Sequence, residues 1–267
     1  MKLQGTSGGF SPTSCAGKDP AMAIRDAGSQ RLYVRDSLVA GHPIYLSADQ
    51  SHYLVNVLRA KTNDAVAVFN GRDGEWLARI GTIGKRSATA TPELLSRPQV
   101  LGPDIDYIFA PLKHGRLDYM VQKAAEMGVR SLRPVLTRHT IADRVNLERM
   151  RANVIEAAEQ CGVLWVAEVH DLLPLTKLVE NWDHGRRLIF CDEAAHGRDP
   201  VASLKNLQPG PLALIVGPEG GFDEVERQLL ISKSFVVPIS LGPRVMRADT
   251  AAVAALALVN ATLGDWV

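Results

Sequence analysis

The chain contains 267 residues, of which 46% are hydrophobic and 22% are charged. These fractions are typical of globular proteins and exclude collagen, a coiled coil or a disordered chain as the main architecture. At about 150 residues per domain, the length predicts one large domain or two smaller ones. Thirty Lys and Arg residues face 29 Asp and Glu residues, which gives a net charge of +1 and a pI of about 7.8. This balance argues against a uniformly basic nucleic-acid-binding domain, for which the pI is often above about 9.

The charge is nevertheless divided along the chain. Residues 1–151 carry 21 basic and 14 acidic side chains, a net charge of +7, whereas residues 152–267 carry 9 basic and 15 acidic ones, a net charge of −6. The most basic segment is 112–151. Most charge runs are solvated helix faces, and charge alone favours that interpretation. A basic segment is also typical of a surface that binds a polyanion such as RNA.

The cysteines and the first residues bear on the cellular compartment. Cys15, Cys161 and Cys191 are too sparse for a disulfide framework and lack the spacing of a zinc site. This usage is typical of the reducing cytoplasm. No apolar run approaches the roughly 18–20 residues of a membrane span. Residues 1–30 show neither periodicity nor the apolar core of a signal peptide, so we expect a loose tail.

Residues 31–100 are predicted to form a small, mostly β domain. Its β-like segments are 32–34, 44–46, 65–69, 75–80 and 82–95. The dipeptides Asn70-Gly71 and Asp73-Gly74 are typical of tight turns. One helix is expected over 52–59, where apolar residues share a face. Pro98 and the pair Gly102-Pro103 then interrupt the pattern, so a second domain is predicted over 101–267.

The second domain alternates between predicted strands and helices. The strands are expected at 105–110, 132–136, 188–191, 212–216 and 235–239. Apolar stripes predict helices over 117–125 and 147–161, and Asp223 with Glu226 predicts a capped helix over 224–233. This alternation indicates an α/β fold, and the continuous apolar strands suit a parallel sheet covered on both faces.

The final predicted helix, 250–263 with Asp249 as its cap, is apolar on nearly all sides. Such a helix must be buried on more than one side. The pattern is equally compatible with a central core helix and with a helix at a dimer interface.

Two loops that follow predicted strands are candidates for a ligand site. The first, Gly-Pro-Glu-Gly-Gly-Phe at 217–222, follows the strand 212–216, and glycines there let a ligand approach the backbone. It is neither a Walker A nor a dinucleotide-binding motif. The second, 240–250, carries Arg244 and Arg247, which suit phosphate contacts or base stacking. An ordinary turn and an arginine paired with Asp249 are the alternatives, but two such loops in succession favour a pocket.

Other reactive residue types carry weaker signals. Glu156 and Glu159 share a helix face, where they form either an acid–base pair or a solvated surface, the commoner case. Cys161 is interpreted as a small core residue. His114 and His139 are interpreted as surface or RNA-contacting residues, because no second ligand stands at metal spacing.

Taken together, these motifs resemble the ribosomal RNA small-subunit methyltransferase E family. The resemblance is carried by the loops 217–222 and 241–251, by 156–162, by the helix end 123–129, and by 31–34 and 52–59. It covers about residues 31–267. The sequence departs from the family at Asp249, where Glu is usual, at Met246, where Leu is frequent, and at Val163, where an Arg usually follows the glycine.

The resemblance implies a fold and a function. The expected fold is α/β, with a small N-terminal PUA-like β-barrel domain and a C-terminal SPOUT α/β domain that contains a trefoil knot. General topology rules would argue against a knot, so it rests on the resemblance alone. The implied activity is S-adenosylmethionine-dependent methylation of N3 of a uridine in 16S ribosomal RNA, by a cytoplasmic homodimer that needs no membrane and no metal.

The resemblance and the residue chemistry together give candidate site residues. A cation favours the anion left when N3 loses its proton, so Arg247 and Arg244 are predicted to be catalytic, and Glu219 either accepts the proton or orients its loop. The predicted cofactor-binding residues are Cys191, Val216, Gly217, Pro218, Glu219, Gly220, Gly221, Ile239, Ser240, Leu241, Gly242, Val245 and Met246. The predicted RNA-binding residues are Arg31, Arg59, Lys113, Arg116, Arg130, Arg133 and Arg138.

Two other functions remain open from the sequence. One is a different nucleotide-binding α/β enzyme that uses the 217–222 loop for phosphate. The other is a non-catalytic RNA-binding assembly factor. The presence of Arg244 and Arg247 argues against this alternative.

Overall fold

The computed structural model describes residues 30–84, 87–142, 144–195, 197 and 199–266, without the side chain of His114. The predicted tail, apart from its last residue, lies outside the described residues. The same holds for two residues inside the predicted strand 82–95 and for Cys15.

A five-stranded sheet occupies the N-terminal part of the described chain, in the order β1-β3-β4-β5-β2. Its strands are β1 (Arg31–Tyr33), β2 (Ile44–Tyr45), β3 (Ala65–Phe69), β4 (Glu75–Ile83) and β5 (Ala88–Arg97). The predicted tight turn joins β3 to β4. There the Asn70 side chain accepts hydrogen bonds from the backbone N–H groups of Arg72 and Asp73, and Gly71 and Gly74 adopt positive φ.

The helix predicted over 52–59 begins earlier than expected. Helix α1 (Ala48–His52) is followed by a π-helical turn (Tyr53–Val57). Ser47 and Gln50 form a capping box, because each side chain accepts a hydrogen bond from the other residue's backbone N–H. The prediction of a start at 52 was therefore wrong: the apolar stripe marks only the buried side, whereas the cap fixes the first turn.

A parallel sheet forms the rest of the fold, in the order β12-β10-β11-β6-β7-β8, with the short β9 paired to β7. The strands are β6 (Ile105–Phe109), β7 (Ser131–Leu136), β8 (Glu168–Val169), β9 (Leu173–Pro174), β10 (Arg187–Cys191), β11 (Leu212–Val216) and β12 (Val236–Ile239). Every pairing in it is parallel. The α/β prediction is therefore confirmed.

Helices cover both faces of this sheet. They are α2 (His114–Glu126), α3 (Leu147–Cys161), α4 (Leu175–Glu180), α5 (Pro200–Lys205), α6 (Glu224–Ile231) and α7 (Ala248–Asn260). Tyr107 and Phe109 of β6 pack with α2, α3, α5 and α7, whereas Ile108 packs on the other face with α4 and α6. The alternation explains why the strands read as continuous apolar runs. The predicted capping pair Asp223–Glu226 is confirmed at the start of α6.

The last helix differs from its prediction at both ends. It begins at Ala248 with Arg247 in the N-cap position, and it ends at Asn260. Asp249 lies in the first turn, where its carboxylate binds an arginine from α2, so the prediction that it caps the helix is wrong. Most of α7 is buried within this chain, including Ala255 and Val259, which are fully covered.

Arg31 joins the two sheets. Its Nε lies 2.6 Å from the carboxylate of Glu75. Its other two nitrogens donate hydrogen bonds to the backbone oxygens of Ala158 and Glu159, in the last turn of α3, and of Val163, just after that helix. The guanidinium also lies over the Phe69 ring, 4.4 Å from the centroid. Only 11% of the side chain is exposed. The prediction that Arg31 binds RNA is therefore wrong, because the group is consumed by packing.

The end of α3 faces the same junction. Glu159 accepts a hydrogen bond from the backbone N–H of Tyr33, and burial, the largest effect, raises the pKa of Glu159. Glu156 is exposed, so the two carboxylates have different environments and do not form the acid–base pair considered above. Cys161 is exposed rather than a core residue, which corrects that interpretation.

Trp165 packs against Gly102, in the segment between β5 and β6. A Cβ placed on Gly102 would lie 2.1 Å from Cζ2 of the indole ring. The ring nitrogen donates to the backbone oxygen of Val129, at 3.3 Å. Glycine is therefore required at 102 by close packing rather than by an unusual φ.

Candidate active site

A cavity of about 330 Å³ lies at the carboxyl ends of β10, β11 and β12. This is the edge at which parallel α/β sheets bind ligands. The predicted cofactor residues that line it are Cys191, Val216, Gly217, Pro218, Gly220, Gly221, Ser240, Leu241, Gly242, Val245 and Met246. Two others do not line it: Ile239 is fully buried in its strand, and Glu219 pairs with Arg116.

The loop 217–222 owes its shape to its glycines. A Cβ on Gly217 would lie 2.7 Å from the Phe222 ring. Gly221 adopts φ +68° and donates its N–H to the oxygen of Pro218 at 2.9 Å, which closes a turn. A side chain at either position would displace the loop from the cavity wall.

The loop after β10 contributes residues that the sequence did not reveal. Asp192 is 5% exposed and forms a two-oxygen ion pair with Arg227 of α6, at 3.0 Å. Glu193 and Ala194 complete this wall. The sequence indicated this loop only through its position after a predicted strand, because the loop contains no glycine-rich motif.

Cys191 presents an un-ionised thiol to the cavity. Burial raises its pKa to about 12, so the group stays protonated at neutral pH. A thiolate is the nucleophilic form of cysteine. The cavity therefore contains a small apolar sulfur rather than a reactive anion.

Arg116 connects three elements beside the cavity. From α2 it donates to both oxygens of Asp249 in α7, at 3.1 and 2.9 Å, and it forms an ion pair with Glu219 of the glycine-rich loop. The hydrogen bond from Arg116 is the main reason that the pKa of Asp249 is lowered. Two carboxylates occupy its guanidinium, so Arg116 has a structural role here, and its binding of RNA stays a prediction.

The remaining predicted catalytic residues are exposed cations. Arg244 lines the cavity, and Arg247 stands at the start of α7, after the same loop. Neither guanidinium has an ion-pair partner in the part of the chain that the structure describes. Both are therefore free to meet an anionic ligand.

The predicted RNA-binding cations separate into two groups. Arg59, Lys113 and Arg138 are exposed, with no side-chain ion pair among the described residues. Arg130 lies 3.4 Å from Asp104, and Arg133 lies 2.7 Å from Asp106.

Arg130 and Arg133 belong to an ion-pair network at the amino end of the sheet. Arg186 pairs with Asp104 in the same network, at 2.9 Å. Arg133 lies three residues before Leu136, the last residue of β7, so about 10 Å of extended strand separates it from the carboxyl end of that strand. Arg130 and Arg133 therefore lie further from the cavity edge than Arg138 does, and their binding of RNA stays a prediction.

Neither a metal site nor a membrane-spanning helix is found among the described residues. No group of three or more His, Cys, Asp or Glu side chains in the described ranges is arranged to hold a metal ion. Within the same ranges, no helix combines the length and apolarity needed to cross a bilayer.

Comparisons with known proteins agree with this geometry. The model of an RNA methyltransferase domain matches residues 101–260, and that of an RNA methyltransferase PUA domain matches residues 46–93. The ribosomal RNA small subunit methyltransferase E of Rickettsia conorii is 32% identical over 233 residues, covering 86% of this chain and 94% of the relative. That of Synechocystis is also 32% identical, covering 87% and 78%.

Two solved structures have the same fold. A ribosomal RNA small subunit methyltransferase E from Neisseria gonorrhoeae, bound to S-adenosyl methionine, has a TM-score of 0.80 and 26% identity, and the match covers 89% of this chain and 99% of that one. A Legionella pneumophila methyltransferase, described as putative and in complex with bound SAM, has a TM-score of 0.78 and 28% identity over the same shares.

The fold, the cavity and the domain matches define the class as RNA methyltransferase. The curated relatives narrow the class further. The chain belongs to the ribosomal RNA small subunit methyltransferase E family.

Proposed function

We propose that this protein transfers the methyl group of S-adenosylmethionine to N3 of a uridine in 16S ribosomal RNA of the small subunit. The observation that carries the proposal is the cavity of about 330 Å³, whose walls are the loops after β10, β11 and β12. The family supplies the small-subunit RNA as the substrate, and the N3 position follows the family resemblance.

The cavity suits this cofactor in size and chemistry. Its volume lies at the lower end of the roughly 300–1,000 Å³ of small-molecule sites. Gly217 and Gly221 let the ligand approach the backbone, and Cys191 adds no charge. When bound, the cofactor supplies an electrophilic methyl group on a sulfonium. A protonated Cys191 does not compete with the RNA for that group.

The arginines supply the charge that the acceptor needs. Uridine N3 carries a proton, and its loss leaves an anion that a fixed cation stabilises. Arg244 at the cavity and Arg247 at the start of α7 have no other ion-pair partner among the described residues, which supports this role. Both also suit a phosphate group of the same nucleotide.

Glu219 orients its loop in this proposal. Of the two roles considered for it, proton acceptance requires a carboxylate that is open to the base. The ion pair with Arg116 occupies that carboxylate and ties the loop to α2. Since Arg116 also holds Asp249, one guanidinium sets the spacing between the glycine-rich loop and α7.

The RNA reaches the site over the exposed cations. Lys113 and Arg138 follow β6 and β7, at the same edge of the sheet as the cavity, and Arg59 extends the surface onto the PUA-like domain. N3 lies on the Watson–Crick edge, so the uridine must be unpaired or turned out of its helix. The five-stranded sheet then serves as the barrel-like domain that holds the flanking RNA.

Further properties of the family are proposed on partial support. A trefoil knot is supported by α7, which follows the edge strand β12 but packs against α2 and against β11, two strands further in. A homodimer is supported by a half-buried apolar stripe on α7 formed by Val253, Ala254, Ala257 and Leu258. A cytoplasmic location is proposed because ribosomal RNA is the proposed substrate.

The test is methyl transfer to ribosomes of defined modification state. The purified protein is incubated with methyl-labelled S-adenosylmethionine and small subunits that lack the modification, and the labelled nucleotide is mapped. We expect label on N3 of one uridine of 16S RNA, and none on subunits already modified there. Label on another position refutes the assigned substrate, and no transfer at all favours the assembly-factor alternative.

A further inference from the structure

A hydrogen-bonded turn follows β7 and faces the glycine-rich loop. The backbone N–H of Thr137 donates to Oγ1 of Thr140 at 2.8 Å, and the N–H of Thr140 donates to the oxygen of Thr137 at 3.1 Å. The two residues between them, Arg138 and His139, are exposed. The proposed function uses Arg138 but gives His139 no role.

His139 contacts the backbone of the glycine-rich loop. Its Nδ1 lies 3.0 Å from the carbonyl oxygen of Gly220 and 3.2 Å from that of Gly221. Carbonyl oxygens only accept hydrogen bonds, so Nδ1 carries a proton and donates it. This holds for the matching neutral tautomer and for the imidazolium alike. The contact therefore does not depend on the charge of the ring.

The contact fixes how the loop presents its peptide groups. The N–H of Gly221 is already used inside the loop, where it binds the oxygen of Pro218. The carbonyl of Gly221 points to His139, so the N–H of Phe222, in the same trans peptide, points the opposite way. Gly220, Gly221 and Phe222 all line the cavity, whereas His139 does not.

A second contact holds the same turn to the far end of the loop. The backbone N–H of Arg138 donates to Oε1 of Glu226 at 2.8 Å, and Oε2 of Glu226 accepts the N–H of Asp223 at 3.2 Å. Packing is tight as well, because a Cβ on Gly220 would lie 3.2 Å from Cβ of His139. The turn is thus attached to the loop at its middle and at its end.

We propose that His139 is a positioning residue for the methyl donor. It holds the carbonyls of Gly220 and Gly221 on the outer side of the loop, and so keeps the loop's inner side shaped for the cofactor. The inference rests on the proposed function, because S-adenosylmethionine is the ligand that the loop receives. It adds a contact between the RNA-facing turn and the cofactor cavity.

The test compares two substitutions at His139 by calorimetry with S-adenosylmethionine. His139→Ala removes the donor, and we expect Kd to rise about three- to tenfold, the effect of one hydrogen bond. His139→Asn places an amide N–H where Nδ1 was, and we expect it to restore most of the affinity. In methyl transfer, the KM for the cofactor should rise in His139→Ala by a larger factor than kcat falls.

His42→Ala is the matched control. His42 is an exposed histidine whose Nδ1 lies 3.2 Å from the oxygen of Ala40, two residues away, and its removal should leave Kd unchanged. The proposal is overturned if His139→Ala binds like the wild type, or if His139→Asn is as weak as His139→Ala. A wild-type protein that does not bind S-adenosylmethionine refutes the proposed function itself, and the inference with it.

Discussion

Removal of the Arg31 side chain should lower the free energy of unfolding, because this side chain joins the two sheets. In Arg31→Ala, Glu75 stays buried, with 7% of its side chain exposed, and loses the partner that lies 2.6 Å from it, while Arg97 remains 3.7 Å away. The backbone oxygens of Ala158, Glu159 and Val163 lose their donor at the same time. Breaking a buried ion pair from one side costs about 3–5 kcal/mol, and because Arg97 still pairs with Glu75 we expect a loss at the lower end, about 3 kcal/mol, in the free energy of unfolding.

The assay is urea denaturation followed by tryptophan fluorescence and circular dichroism. The matched control is Arg79→Ala, which breaks the pair with Glu93 at 3.1 Å, where both side chains are about half exposed. Such surface pairs contribute about 0.2–1 kcal/mol. The double variant Arg31→Ala/Glu75→Gln should recover part of the loss, because no charge is then left buried. The reasoning is refuted if Arg31→Ala and Arg79→Ala lose the same free energy.

Three further predictions concern the site. Arg247→Ala should reduce methyl transfer at saturating cofactor by about a hundredfold if the guanidinium stabilises the N3 anion. Full activity of this variant would refute the catalytic role of Arg247. Arg138→Glu should weaken subunit binding and lower its salt dependence, measured by filter binding, whereas Lys205→Glu at the opposite end of the sheet should change neither. The Arg116 pair lowers the pKa of Asp249 below the ordinary value of 3.8, so it stabilises the fold above that value and is lost as the pH falls through the folded-state pKa. The difference in unfolding free energy between wild type and Asp249→Asn should therefore shrink in acid, and a constant difference from pH 7 to pH 2 would contradict it.

The five longer strands of the parallel sheet were predictable because each signal is local. A run such as 212–216 is buried on both faces and therefore apolar throughout. The two-residue strands β8 and β9 and the six-residue helices α4 and α5 were missed. Two residues show no alternation, and six residues make fewer than two helical turns, so neither length shows its period.

The site shows the same limit at longer range. Glycines and prolines after β11 and β12 indicated two cavity walls, but Asp192 and Arg227 are 35 residues apart and form no motif. Asp249 has the residue type of a helix cap, yet Arg116, 133 residues away, determines its role. Arg133 likewise has no visible partner in the sequence, whereas in the structure it forms an ion pair with Asp106. Partners brought together by the fold are invisible to a local pattern.

The buried bonds of Arg31 have a consequence for RNA recognition. One guanidinium holds Glu75 of the N-terminal sheet and three backbone oxygens at the end of α3, so the two sheets are oriented before RNA arrives. A protein with loosely tethered domains must restrict their rotation on binding, and this entropy loss subtracts from affinity. Here the restriction is already met during folding. If Arg59 and Arg138 bind RNA as proposed, a fixed orientation of the two sheets lets the protein select an RNA by its shape as well as by its charge.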